Sequence, residues 1–171
     1  MNLKEYSSLE STSKKAKTLD YKPWTVVWSK EQTKGHGKEK NYWFSPKGGL
    51  YFSIILPKNT IKNLQTLTIL SSFAVAKTIK ENFKLEPFIK LPNDVFVNQK
   101  KIAGILTENI ISQKIKFSVI GIGLDTNIEK YPKKLENIAT SIKIETGKKV
   151  NNKKILKEIV KKIKNQLNTI S

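Results

Sequence analysis

KLPNDVFVNQKKIAGILTE, residues 90–108, contains a conflict of pattern. Two apolar runs, 95–97 and 101–111, flank the turn Asn98-Gln99-Lys100 and read as an antiparallel hairpin. Hairpin strands ordinarily carry bulky apolar residues. This one opens on Asn93 and Asp94, places Lys90 and Lys101 at its ends, and puts Gly104 inside its second strand. An interior glycine weakens a strand by roughly 0.5–1 kcal/mol relative to alanine. It marks a bulge or a surface on which something lies. Lys101 and Gly104 differ in parity, so an ideal strand points them to opposite faces. They can cooperate if Lys101 sits at the turn or if Gly104 offers its backbone N–H.

The hairpin has glycine-bearing neighbours. KFSVIGIGL, 116–124, is the next strand, reached by a turn at 112–115, and it holds Gly121 and Gly123 on one face. Gly48-Gly49 opens the strand LYFSIIL, 50–56. Upstream, the pattern predicts a helix over 11–19 capped by Ser11 or Thr12, a strand over 23–32, and a loop over 33–49. Apolar positions Leu64, Leu67, Leu70, Phe73, Ala74 and Ile79 predict a long buried helix over 61–83, then a short strand over 87–91. Downstream come a helix over 135–146 ending at Gly147 and an amphipathic helix over 152–170, with Ile155, Ile159, Val160, Ile163, Leu167 and Ile170 as its stripe. This order predicts one α+β domain over 1–171: a mixed, largely antiparallel sheet flanked by helices.

Composition excludes several chemistries. The 171 residues include no cysteine, so there is no disulfide, thiol nucleophile or thiolate metal site. His36 is the sole histidine, which excludes a histidine-based zinc cluster. No apolar run approaches the ~20 residues of a membrane helix, and the N-terminus lacks a signal core. A cytoplasmic protein without membrane contact is expected. Net charge is +18, and every basic residue is lysine. The lysines are spread along the chain rather than gathered in an aromatic-interleaved arm, so the charge is read mainly as the lysine usage of an AT-rich coding sequence. A nucleic-acid partner is the lesser reading, and an acidic protein partner also fits.

Candidate chemistry clusters in four places. The loop 33–49 brings Gln32, Gly35, His36, Gly37, Lys38, Lys40 and Trp43 together. Glycine frees backbone N–H groups for an anion, lysine adds charge, and tryptophan either stacks on a purine or fills the core. Asp94 is a turn cap or a Mg²⁺-bound carboxylate near phosphates. Ser11-Thr12 caps a helix or binds a polar ring. Lys101 precedes an apolar run. The GIG at 121–123 is no dinucleotide fingerprint, and GHGK at 35–38 is no P-loop. Nothing resembles a protein nucleophile with its base. The fitting chemistry is one in which substrates supply both reactive groups, as when a carboxylate attacks the α-phosphate of ATP.

These residues carry a resemblance. Ser11-Thr12-Ser13, Gln32-Thr-Lys-Gly35-His-Gly37, Trp43-Phe-Ser-Pro46, Gly48-Gly49-Leu-Tyr-Phe-Ser, Lys90-Leu-Pro-Asn93-Asp94, Lys101-Ile-Ala-Gly104-Ile-Leu and Gly121-Ile-Gly123-Leu-Asp125 together resemble the catalytic domain of biotin–protein ligases, over about 8–128. The resemblance implies the class II aminoacyl-tRNA synthetase/biotin synthetase fold, with biotin, ATP and Mg²⁺ as ligands. Biotin is activated to biotinyl-5′-AMP and passed to a lysine of the biotin carboxyl carrier protein of acetyl-CoA carboxylase. By that resemblance Lys101 and Lys38 are catalytic. Ser11, Thr12, Ser13, Gln32, Gly35, His36, Gly37, Lys101, Gly104, Gly121 and Gly123 bind biotin. Lys38, Trp43, Lys90, Asn93, Asp94, Lys101 and Asp125 bind ATP, and Asp94 helps place the metal. The family's loop is usually Gly-Arg-Gly-Arg-x-Gly-Arg and reads GHGKEKN here; Asp125 replaces a usual asparagine, and Leu91 a usual tryptophan. Neither an N-terminal helix-turn-helix nor a C-terminal SH3-like domain is expected, so no sequence-specific DNA binding is expected either. A homodimer is left open. The alternatives are a lipoate or octanoate ligase or transferase of the same superfamily, and a basic nucleic-acid binder.

Overall fold

The computed structural model describes residues 1–20, 22–58, 60, 63–111 and 116–170. Seven strands form one sheet: β1 (Asn2–Tyr6), β2 (Thr25–Ser29), β3 (Leu50–Ile55), β4 (Phe88–Lys90), β5 (Asp94–Val97), β6 (Lys100–Ile111) and β7 (Lys116–Leu124), in the order β1-β2-β3-β7-β6-β5-β4. Among the seven described strands, only β1 and β2 pair in parallel. The α+β class and the mixed, largely antiparallel sheet are as expected.

β1 has no sequence signal. NLKEY is polar, lies at the sheet edge, and is held by register to β2. β3 has the opposite character: LYFSII is buried throughout, because it is covered on both faces. On one face β3, β6 and β7 meet α2 (Leu64–Phe83) and α4 (Asn152–Ile170), with Phe52, Ile54, Ile105, Ile120 and Ile122 packing on Leu67, Val75, Ile159 and Ile163. The other face carries α1 (Thr12–Thr18), whose Ala16 packs on Val27, Ile55 and Val119. α1 is shorter than the sheet it crosses, and the site lies on the remainder of that face.

Several boundaries differ from the sequence reading. The helix expected over 135–146 is confined to α3 (Ile142–Thr146), capped by Ser141 and closed by Gly147 at φ 70. Residues 133–137 form turns instead, with Ala139 bridged to Lys101. Phe73, expected inside α2, is half exposed. The inward stripe is made by Ser71, Ser72 and Thr78 alongside Leu67, Val75 and Ile79. Their hydroxyls donate to carbonyls one turn back, so these small polar side chains are buried without orphaned groups. The helix residues expected at 61–62, the turn at 112–115 and the Ile170 side chain lie outside the described residues. Among the described residues no helix is long and apolar enough to cross a membrane.

The β5–β6 turn holds Asn98 and Gln99 at φ 48 and 64, the positive-φ pair of a two-residue hairpin loop. Gln99→Gly is expected to raise stability by about 0.5 kcal/mol, the left-handed penalty of a side chain exceeding the added entropy of glycine. A urea midpoint that stays put or falls would refute this.

Candidate functional site

The parity conflict of the hairpin is resolved by a bulge. Phe96 opposes Lys101 and Val95 opposes Ala103, so β6 carries Ile102 as an extra residue. The extra residue reverses the alternation, and Lys101 falls on the same face as Gly104. Asp94 opposes Gly104, and its Oδ1 lies 2.8 Å from Lys101 Nζ. Ile102 itself is fully buried in the core.

Gly104 opposes Gly123 on β7, and Gly121 opposes Leu106. A row of glycines therefore crosses two adjacent strands. Trp43 lies on it. A Cβ at Gly104 would stand 2.9 Å from the indole, and one at Gly123 would stand 2.5 Å from Nε1. Gly121 is clear of the ring, with only ordinary contacts to Leu106 and Ser53. Lys101 Nζ sits 5.1 Å from the Trp43 ring centre, so the amine contacts both a carboxylate and a π face.

Trp43 is delivered by the strap 33–46. Gly35 accepts the Trp43 N–H through its carbonyl, and His36 bridges to Tyr42. A side chain at 35 would collide with Ser45 Oγ at 2.4 Å and the Trp43 carbonyl at 2.7 Å, so glycine is required there by close approach. A 3-10 turn follows at Lys38–Lys40. The Lys38 side chain is largely exposed beside Glu39.

The far wall is polar. The Thr12 N–H donates to Gln32 Oε1 at 2.8 Å, and Gln32 Nε2 donates to Ser45 Oγ at 3.0 Å. Thr12 and Ser53 share a hydroxyl–hydroxyl bond of 2.9 Å. Ser13 and Lys17 both donate to Glu108. Burial pushes the Glu108 carboxyl up, but those two donors and the nearby His36 outweigh it and hold it below the usual range. On the hairpin side, Asn93 Nδ2 donates to Asp94 Oδ1, and the Asn93 carbonyl accepts the Ile105 N–H.

These parts enclose a cavity of about 260 Å³. Of the residues to which the resemblance assigns a role, Ser11, Thr12, Ser13, Gln32, His36, Gly37, Lys38, Trp43, Asn93, Asp94, Lys101, Gly104, Gly121 and Gly123 line it. Three do not. Gly35 is packed within the strap against Ser45 and the Trp43 carbonyl, Lys90 is exposed at the end of β4, and Asp125 is buried just past the end of β7, bonded to Tyr131. The expectation of an open glycine floor also changes, since Trp43 covers Gly104 and Gly123. Sequence reasoning missed Tyr42, Leu106 and the supports Ser45, Ser53 and Glu108. Ser45 and Ser53 sat within the quoted motifs and Glu108 ended the opening stretch, but only the fold shows what they hold. Among the described residues no group of three histidines or carboxylates could cage a metal. Asp94, with the Asn93 amide beside it, suits Mg²⁺ bound through one carboxylate and phosphate oxygens.

A family model described as the biotin/lipoate A/B protein ligase family matches residues 6–125. The bifunctional ligase/repressor BirA of Bacillus subtilis (strain 168) is 32% identical over 159 residues, covering 90% of this chain and 49% of that protein. The chloroplastic biotin–protein ligase 1 of Arabidopsis thaliana is 37% identical over 103 residues, covering 56% of this chain and 28% of that protein. The biotin protein ligase of Aquifex aeolicus, solved in complex with biotin and ATP, superposes with a TM-score of 0.90 at 30% identity, over 98% of this chain and 70% of that one. The chain spans about half the length of its bacterial curated relative or less of the plant one.

Gly123→Ala is expected to lift the indole off the sheet and shift tryptophan emission to longer wavelength, with the far-ultraviolet circular dichroism unchanged. Gly121→Ala, which meets nothing closer than 3.5 Å, should leave the emission alone. Identical spectra for both variants would contradict the packing of Trp43.

Proposed function

The chain belongs to the biotin/lipoate A/B protein ligase family, and from that membership we propose that it activates biotin with MgATP and transfers it to a lysine of a carrier protein. The acceptor is proposed to be the biotin carboxyl carrier domain of acetyl-CoA carboxylase. The observation that carries the reading is the placement of Lys101. Its amine stands against Asp94 and Trp43, at the edge of the glycine row and inside the cavity.

The chemistry asks little of the protein beyond alignment and charge. A biotin carboxylate oxygen attacks the α-phosphorus, the bond to the bridging oxygen breaks, and pyrophosphate leaves. The acceptor amine then attacks the acyl carbon, AMP departs, and the amine loses a proton. Lys101 offsets the charge of the carboxylate and α-phosphate. Ser11, Thr12 and Gln32 offer donors and acceptors to the polar ring of biotin, and Gly121 leaves room for that ring on the sheet. Trp43 gives a face for adenine, and Lys38 reaches phosphate from the strap as a point charge rather than a fork. Asp94 would hold Mg²⁺, which would neutralise charge on the phosphates.

Single-turnover formation of biotinyl-AMP from biotin and labelled MgATP tests the reading, followed by addition of a carrier domain. Adenylate formation and transfer are expected. Isothermal titration showing a preference for lipoate over biotin would redirect the proposal within the family. Lys101→Ala should slow adenylate formation by about 10²–10³-fold while the fold survives. Pyrophosphate release near the wild-type rate would remove Lys101 from its role.

A further inference from the structure

Asp125 follows β7 directly and is 4% exposed. Its Oδ2 lies 2.9 Å from the Tyr131 hydroxyl. The same hydroxyl lies 2.7 Å from the Thr140 carbonyl. Among the described residues, Asp125 Oδ1 is buried without a partner. A phenol carries one proton, and a carbonyl carries none. With the single Tyr131 proton on the shorter contact, to Thr140, the contact between Tyr131 and Asp125 joins two lone-pair oxygens unless Asp125 brings a proton of its own.

The surroundings agree with that count. Titratable groups face Asp125 from three directions: Tyr51 on β3, Lys101 on β6 and Tyr131 in the segment after β7. Lys101 is already paired with Asp94, and Glu145 on α3 takes the Thr140 hydroxyl one step further out. Burial pushes the Asp125 carboxyl up to about 8, against the pull of the Tyr131 hydrogen bond and Lys101.

The backbone ties this acid to the site. The Asp125 N–H donates to the Ile102 carbonyl, and the Asp125 carbonyl accepts the Ile142 N–H. The Thr140 N–H donates to the Lys101 carbonyl, and the Lys101 N–H donates to the Ile138 carbonyl. The bulge that aims Lys101 is thus clamped from both sides, and the Asp125–Tyr131–Thr140 chain is the brace across the clamp.

We propose that Asp125 is a positioning residue that works as a neutral acid, donating its proton to Tyr131 and so holding the 138–140 segment that fixes Lys101. Ionisation of Asp125 places two oxygens in repulsion and loosens that brace. The activity readout rests on the ligase reading; two other readouts do not.

The test compares the wild type with Asp125→Asn, whose amide can donate to Tyr131 and cannot ionise. Infrared difference spectroscopy should show a protonated-carboxyl band in the wild type at neutral pH that is missing from the variant. Hydrogen exchange at the Lys101 and Thr140 amides should speed up above about pH 8 in the wild type, relative to the variant at the same pH. The single-turnover adenylation rate should fall about tenfold per pH unit above that point in the wild type and not in the variant. The sign of the stability linkage is the same. A carboxyl whose folded pKa is raised gives its full contribution below its ordinary value of 3.8 and loses it as pH rises to about 8. The melting temperature of the wild type should therefore drop relative to that of the variant across this window. A missing carboxyl band, or exchange and melting curves that run parallel in both proteins, would overturn the proposal. Absence of adenylate in both proteins would instead strike the ligase reading, and the band and exchange rates would still decide the role of Asp125.

Discussion

One inserted residue in β6 separates the chemistry of this protein from its core. Without the bulge at Ile102, the alternation of the strand would send Lys101 to the face covered by α2 and α4. That face holds Ile105, Ile120, Ile122 and Val95, with no carboxylate among them. An amine there would be buried unpaired, which costs several kcal/mol or forces loss of the proton. With the bulge, the isoleucine takes the core position and the lysine meets Asp94 on the other face. The segment 138–140 pins the bulge by bonding Lys101 on both of its backbone groups.

The glycine row depends on the same arrangement. Glycine in two neighbouring strands sacrifices packing and adds chain entropy, roughly 0.5–1 kcal/mol at each position. Trp43 offsets much of this by laying its indole where two side chains are missing. The tryptophan can reach the sheet because Gly35 lets the strap fold tightly behind it, with Ser45 and the Trp43 carbonyl in the space of a side chain. Glycines at 35, 104 and 123 therefore serve a single ring, although they are distant in sequence.

The parts of the fold legible in sequence were those with periodicity or punctuation. The hairpin, β3, β7, α1 and α4 were read within a few residues, because their apolar patterns match one period. β1 was invisible, since an edge strand of polar residues is defined by its partner rather than its composition. The inward face of α2 was misassigned at Phe73 because hydroxyls bonded to their own helix behave as small core residues. Residues 133–137 have helical composition but are held as turns by Pro132 and by the bridge of Ala139 to Lys101. The site was legible as a set of residues, fourteen of which share one cavity. Their geometry was not. The parity of Lys101 needed the register of β5, the covering of Gly104 needed the path of the strap, and Asp125 gave no sign that Tyr131 and its surroundings bury it outside the cavity.

The polar wall sets how this pocket can discriminate. Thr12 and Ser53 bond to each other, Thr12 N–H and Gln32 satisfy one another, and Ser13 is taken by Glu108. Each of these groups already has a partner, yet spare capacity remains: the Thr12–Ser53 pair uses one of its two hydroxyl protons, and the Gln32 amide keeps a second N–H. A polar head can take up that capacity without breaking the existing bonds. Discrimination at this end therefore combines those donors with shape: the room above Gly121, the span between α1 and the strap, and the position of the Trp43 ring. Affinity falls to apolar contact with that ring and to the charge at Lys101. Both rest on the bulge and on the three glycines that admit one tryptophan.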